Sequence, residues 1–115
     1  MPGISALEIV TAYQDAWTQR DFQTAATYLA DDVVFRSPTQ HLHRVEQFLS
    51  MITAFAQRIQ PGWTLIAATP SDDMVLLLYK LVLIGGQPAI CADFFTVKEG
   101  LITSEILGFD PAPFR

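Results

Sequence analysis

Asp93 is the residue of this chain whose surroundings most favour chemistry, because it interrupts an otherwise apolar segment that reads as a strand. Two-residue alternation places it on the same face as Cys91, Phe95 and Val97. If that face points inward, loss of solvation raises the pKa of the carboxyl group, and a neutral acid can donate a hydrogen bond. The alternatives are that Asp93 faces solvent or pairs with a basic group such as Arg36.

Tyr13 is the second candidate, because it lies on the apolar face of a predicted helix and a buried tyrosine hydroxyl needs a partner. That partner is Asp93, a ligand oxygen or a nearby group within an ordinary core. We predict that a set of residues on the apolar faces of the predicted elements contacts a ligand. For those that lie on helices, the spacing is equally consistent with an ordinary hydrophobic core. The full set is Trp17, Phe35, Ser37, Phe48, Ile52, Phe55, Tyr79, Cys91 and Phe95.

Other polar residues give weaker signals. His41 and His43 have a spacing that metal sites use, but no acidic or cysteine partner is near in sequence, which favours a surface loop. Glu105, in the last predicted strand, has no assigned face. Cys91 is the single cysteine, so an internal disulfide and a cysteine zinc site are excluded. We therefore expect no metal and no cofactor.

The composition describes one apolar domain, spanning residues 1–115. Half of the residues are hydrophobic and 17% are charged, where about 25% is usual, so apolar surface beyond the core is expected in a ligand cavity or a subunit interface. Seven basic against 12 acidic residues give a net charge of −5, which argues against nucleic acid and against anionic membranes. The N-terminal stretch lacks the features of a signal peptide, and the expected location is cytoplasmic.

The elements that must position these residues follow from periodicity and from turn signals. Ser5 to Glu8 has the pattern of a capping box before a first helix, and Pro61-Gly62 ends the last one. The predicted order after the first helix is helix 22–30, strand 33–37, loop 39–43, helix 44–60, and strands 63–69, 74–84, 87–98 and 101–109. This order predicts an α+β fold, with about three N-terminal helices packed on one face of a curved, mainly antiparallel sheet.

Four local motifs resemble the nuclear transport factor 2-like superfamily, which includes SnoaL-like polyketide cyclases and ketosteroid isomerases. Together they extend over nearly the whole chain, although His43 replaces a glycine that is often seen before the third helix. The motifs are Tyr13–Trp17 with Arg20-Asp21-Phe22, Leu29–Phe35, Arg44–Leu49, and Phe95–Ile102 with Phe109-Asp110-Pro111. The resemblance implies a cone-shaped, cystatin-like α+β roll with a pocket at its open end, in a single SnoaL-like domain.

The resemblance also implies residue roles. Ketosteroid isomerases use a tyrosine of the first helix and a protonated strand aspartic acid as an oxyanion hole, and Tyr13 and Asp93 match these two positions. The position of the general base holds Ser37, and a serine hydroxyl cannot abstract a proton from carbon without a base of its own. The oxyanion half of the machinery is therefore matched and the base is not.

Two functions remain open at this point. The first is a domain that binds a small apolar ligand without a complete catalytic set. The second is an isomerase, cyclase or lyase acting on a small apolar carbonyl compound, with Tyr13 and Asp93 polarising the oxygen and Asp31, Asp32, His41 or the substrate itself as base. The strand Met74–Ile84 is apolar on both faces, and large apolar patches rarely stay exposed. Similar family members dimerise through the outer sheet face, so a homodimer is expected.

Overall fold

The protein consists of three helices packed on one face of a six-stranded sheet, in a computed structural model that describes residues 5–114. The helices are α1 (Ala6–Thr18), α2 (Phe22–Ala26) and α3 (Val45–Ala56), and a 3₁₀ turn follows at Ala112–Phe114. The strands are β1 (Leu29–Arg36), β2 (His41–His43), β3 (Thr64–Pro70), β4 (Met74–Val82), β5 (Pro88–Lys98) and β6 (Leu101–Phe109). The strand order is β2-β1-β6-β5-β4-β3. Only the β1–β6 pair is parallel, so the predicted α+β class is confirmed.

Two expectations concern the N-terminus and the membrane. The absence of a signal peptide was expected from a stretch that includes residues 1–4, which lie outside the described residues. Over the range 5–114, none of the helices combines the length and apolarity needed to cross a bilayer.

Local chemistry explains where the first two helices begin. Ser5 and Glu8 form the predicted capping box, in which each side chain bonds the backbone N–H of the other residue, satisfying two donors that the first turn leaves free. Asp21 caps α2 through the N–H of Thr24. Both predicted starts are confirmed.

The second helix is shorter than predicted, and the expected end at Ala30 is wrong. The backbone N–H of Ile102 donates to the carbonyl of Tyr28 at 2.7 Å, and Leu29 is already paired with Ile102. Pairing with β6 therefore draws the chain into a strand soon after Ala26. As a result Asp31 and Asp32 are exposed strand residues, where the sequence placed them at the end of a helix.

The third helix and the segment before it also differ from the prediction. His41 to His43 is a short strand paired with β1, where a loop was expected. Arg44 has a positive φ of 87°, so α3 begins at Val45. Its end lies at Ala56, where Gln60 was expected, because Arg20 donates from Nη2 to the carbonyls of Ala56 and Ile59 at 3.2 and 3.1 Å.

The last four strands begin and end within two residues of their predicted bounds. In β5 the residues Ala89, Cys91, Asp93, Phe95 and Val97 are all buried, so the two-residue alternation predicted for this strand is present. Irregular register in the β1–β6, β3–β4 and β5–β6 pairs interrupts the ladders, and such irregularities bend a sheet. The inner face of the bent sheet and the helices enclose the core.

Candidate functional site

A cavity of about 620 Å³ lies between α3 and the inner face of the sheet. Its buried wall is formed by residues of α1, α3 and three strands of the sheet: Trp17, Phe35, Ile52, Tyr79, Glu105 and Leu107. Its rim is formed by the β1–β2 turn, by Arg58 after α3, and by the C-terminal residues Phe109 and Phe114. A concave, mainly apolar site with few polar groups is typical of small-molecule binding.

The predicted ligand-contacting residues divide between the cavity and the core. Six of them line the cavity: Trp17, Phe35, Ser37, Ile52, Phe55 and Tyr79. The other three, Phe48, Cys91 and Phe95, are buried behind the wall and are not among the lining residues. The rings of Phe48 and Phe95 each pack edge-on against Tyr13, with centroids 6.2 Å apart. The aromatic cluster around Tyr13 therefore fills the interior of the cone behind the cavity.

Asp93 faces inward and is fully buried. Its Oδ2 accepts a hydrogen bond from the hydroxyl of Tyr79 at 2.8 Å, across the β4–β5 ladder in which Tyr79 pairs with Cys91 and Leu77 pairs with Asp93. The partner of the aspartate is therefore Tyr79 from β4. The alternative partner Arg36 is an exposed residue of β1.

The hydroxyl of Tyr13 is buried and has no hydrogen-bond partner within residues 5–114. Neither Tyr13 nor Asp93 is among the residues that line the cavity. Ser37 does line it, but the Ser37 hydroxyl accepts hydrogen bonds from the N–H groups of Thr39 and Gln40 at 3.3 and 3.1 Å. Ser37 thereby shapes the β1–β2 turn at the rim.

Glu105 is the polar residue of this site that the sequence left unassigned. It is 3% exposed, lines the cavity and lies in β6 opposite Phe95. This pair is two along the ladder from Asp93 and Leu107, on the same face of the sheet. Asp93 Oδ1 and Glu105 Oε1 receive no hydrogen bond from a donor group of the described chain. The two carboxyl groups bond each other when one of them carries a proton. We call Asp93 and Glu105 the acid pair.

Burial sets the protonation of the acid pair. Loss of solvation raises the pKa of Asp93 to about 6, although hydrogen bonds from Glu105 and Tyr79 pull it down. Loss of solvation also raises the pKa of Glu105 well above its usual value, and the neighbouring charge of Asp93 raises it further. Burial therefore favours the protonated form of both carboxyl groups, and Glu105 is favoured further because the charge of Asp93 also raises its pKa.

No group of three metal-binding side chains is close enough to hold an ion among residues 5–114. His41 and His43 are both exposed on the short edge strand β2. The acid pair has only two carboxyl groups, and its other near neighbours are tyrosines and a cysteine. What this arrangement offers chemically is a pair of buried carboxyl groups with raised pKa values, of which Glu105 lies at the wall of an aromatic cavity.

Helices on one face of a bent, mixed sheet, with a cavity at one end, define a cone-shaped α+β domain. The SnoaL-like domain profile matches residues 10–105, and the chain belongs to the SnoaL-like domain family. The resemblance noted in the sequence is thereby confirmed. No protein with a curated description matches the chain.

Solved structures show the same fold. A protein from Kribbella flavida is 29% identical, with a TM-score of 0.90 over 97% of this chain and 92% of that chain. A Silicibacter pomeroyi protein with a cystatin-like fold is 18% identical, with a TM-score of 0.78 over 91% and 75% of the two chains. A Catenulispora acidiphila protein with a ketosteroid isomerase-like fold, in complex with trimethylamine, is 21% identical, with a TM-score of 0.73 over 90% and 85%. The predicted cystatin-like roll is confirmed.

Proposed function

We propose that this domain binds a small, mainly apolar molecule in the cavity, with one polar group of the ligand directed at Glu105 and Tyr79. The observation that carries the proposal is a buried carboxyl group on the wall of an otherwise aromatic and aliphatic cavity. Apolar walls supply affinity, and a few buried polar groups fix orientation. The Catenulispora protein binds trimethylamine, a ligand of this general kind.

Calorimetric titration with 2-naphthol tests the proposal, because this probe combines an apolar body with one hydroxyl group. Ala54 lines the cavity from α3 and is exposed, so Ala54→Trp places a ring in the cavity without disturbing the core. We expect this variant to bind the probe at least about tenfold more weakly, since the lost apolar contact is worth about 1.5 kcal/mol or more. The matched control is Thr53→Trp, at an exposed neighbour that does not line the cavity. Equal affinity in both variants would place the ligand elsewhere.

A second function is favoured by the protonation of the acid pair. A group with a pKa near the working pH is suited to moving protons, and Glu105 presents this pair to the cavity. In this alternative the domain is an isomerase- or cyclase-like enzyme for a small carbonyl compound. The singly protonated pair takes a proton from the carbon next to the carbonyl, the C–H electrons form an enolate, and the pair returns the proton. The acid pair thus fills the role that Ser37 cannot.

Deuterium exchange tests the second function. Cyclohexenone is incubated with the protein in D₂O, and exchange next to the carbonyl is followed by NMR. We expect exchange above the background, with a rate that rises with pH through about 6, where Asp93 loses its proton, and that is lost in Asp93→Asn/Glu105→Gln. An enone that binds without exchanging would leave the domain as a binder.

We also propose that the domain pairs with a second copy through the outer face of the sheet. Leu76, Phe94 and Ile106 are neighbours across β4, β5 and β6, and Leu76 and Ile106 are 47% and 50% exposed. Ala92 and Gly108 pair in the next row. A large apolar row beside small residues suits sheet-on-sheet contact.

A further inference from the structure

No basic side chain of residues 5–114 is among the charged neighbours of the acid pair. The groups around it are Tyr79 from β4, Cys91 from β5 and Tyr13 from α1. Burial raises the pKa of both tyrosines well above their usual value and that of the thiol to about 12, so all three are uncharged at neutral pH. Over residues 5–114, the one ion pair joins Arg44 and Glu46 on the surface.

Arg58 is the basic residue that lines the cavity, and it lies at the rim. The residue is exposed, its Nη2 donates to the carbonyl of Phe114, and its guanidinium lies 5.5 Å from the centre of the Phe114 ring. This cation is therefore engaged at the surface and does not reach the acid pair. A buried negative charge without a counter-ion is unfavourable, and a positive ligand relieves that cost.

The walls between the rim and the acid pair are aromatic. Trp17, Phe35, Phe55 and Tyr79 line the cavity, with Phe109 and Phe114 nearer the opening. The faces of aromatic rings attract cations, and such contacts are strongest where water is excluded. The aromatic walls and the uncompensated anion therefore both favour a ligand with a positive charge.

We infer that the ligand of this cavity is a small organic cation, an amine or quaternary ammonium with apolar substituents, whose charged nitrogen lies against Glu105 and the ring of Tyr79. This inference rests on the proposed function, because it requires the cavity to bind a ligand. It goes further by fixing the charge of that ligand. A neutral ligand gains only a hydrogen bond from the acid pair, whereas a cation gains from its negative charge.

Two probes of one shape isolate the effect of charge: phenyltrimethylammonium and its uncharged isostere tert-butylbenzene. Neither has a hydrogen bond to donate, so a difference in affinity reports on charge. At pH 7.5 we expect the cation to bind at least about tenfold more tightly, measured by calorimetry. At pH 5 the preference shrinks, because Asp93, with a pKa of about 6, is then protonated.

Two variants locate the charge. Asp93→Asn/Glu105→Gln keeps the shape of both side chains and removes the ionisable groups, so the preference for the cation should fall at least about fivefold, to what the aromatic walls alone supply. Glu105→Gln alone leaves the charge on Asp93, and the preference for the cation should persist. Thermal melting verifies that both variants are folded, and the uncharged probe reports whether the cavity is intact.

The outcomes distinguish failure of the cation inference from failure of the proposed ligand-binding function. Equal binding of both probes to the wild type would overturn the inference and leave the proposed function standing. A preference that is undiminished in the double variant would overturn it too, since the charge would then lie elsewhere. Binding of neither probe, nor of 2-naphthol, to the folded protein at millimolar concentration would overturn the proposed function itself.

Discussion

At the scale of residues, the candidate site is centred on two buried carboxyl groups whose pKa values are raised by burial. Asp93 is held by Tyr79, and Glu105 connects it to the cavity. Sequence reasoning singled out Asp93 because a carboxyl group in an apolar strand is conspicuous. It matched Tyr13 to Asp93 by resemblance, whereas the hydroxyl that reaches the aspartate belongs to Tyr79. Which tyrosine reaches Asp93 depends on how β4 and β5 are aligned, and this alignment cannot be deduced from the residue pattern of either strand alone.

The acid pair makes stability depend on pH. Both folded-state pKa values are raised above the unfolded values, so the folded protein binds more protons and is stabilised at low pH. This contribution is lost as pH rises from about 4 through 6 for Asp93, and further upward for Glu105. We expect the free energy of unfolding of the wild type, relative to Asp93→Asn/Glu105→Gln, to fall between pH 4 and pH 8 by at least about 2 kcal/mol, the part that the shift of Asp93 alone supplies. Urea unfolding across this range measures it, and parallel curves for the two proteins would contradict the assignment.

Tyr79→Phe and Tyr13→Phe form a matched pair of hydroxyl deletions. The first removes the donor that lowers the pKa of Asp93, so that pKa should rise above about 6, and about 1–2 kcal/mol of stability should be lost. The second removes a buried hydroxyl that has no partner in the described chain and should be neutral or stabilising. Carbon-13 NMR titration of the Asp93 carboxyl and urea unfolding give the two readouts. A larger loss for Tyr13→Phe would reverse the roles assigned to these tyrosines.

At the scale of elements, strands with regular alternation were predictable and strands with interrupted alternation were not. In β5 every second residue from Ala89 to Val97 is buried, and the sequence predicted the face of Asp93 from this pattern. In β6 the buried residues are Ile102, Glu105 and Leu107, because the register shifts near Thr96 and Val97 of the partner strand. Strict alternation from Ile102 would point Glu105 outward. The irregularity therefore explains why the sequence left its face open.

The end of α3 depends on a contact that spans the chain. Arg20 donates two hydrogen bonds to the carbonyls of Ala56 and Ile59, and so ties the end of α1 to the end of α3. We expect Arg20→Met to lower the free energy of unfolding by about 1.5–3 kcal/mol, because two acceptors lose a charged donor. Arg36→Met, at an exposed strand position, should change it by less than about 0.5 kcal/mol. Urea unfolding compares them, and similar losses would show that the contact is not stabilising.

At the scale of the whole molecule, the apolar residues that are not needed for the core lie in two places. One is the cavity, and the other is the outer face of the sheet, where Leu76, Ile90 and Ile106 remain exposed. The sequence predicted both destinations from composition and from the doubly apolar strand Met74–Ile84. It did not predict how open the cavity is, because the packing of Tyr13, Phe48 and Phe95 behind it depends on the curvature of the whole sheet.

Introducing a charge on the outer face of the sheet tests its proposed role. We expect the wild type to scatter light as a dimer at micromolar concentration. Ile106→Lys should be monomeric, because it places a charge in the apolar row at a position that is 50% exposed. Ile84→Lys is the matched control, since Ile84 is 58% exposed but follows the end of β4. A wild-type monomer, or dissociation by both substitutions alike, would contradict the proposal.

The alternation of β5 has a consequence for engineering. Successive residues of this strand lie on opposite faces of the sheet. Odd positions such as Cys91 and Asp93 face the interior, and even positions such as Ile90 and Ala92 face outward. A saturation library over this strand should show two phenotypes with a period of two and opposite phase. Folding stability should change at the inward set, with ligand preference affected through Asp93, and self-association should change at the outward set. The contact between copies can then be redesigned while the interior is left as it is.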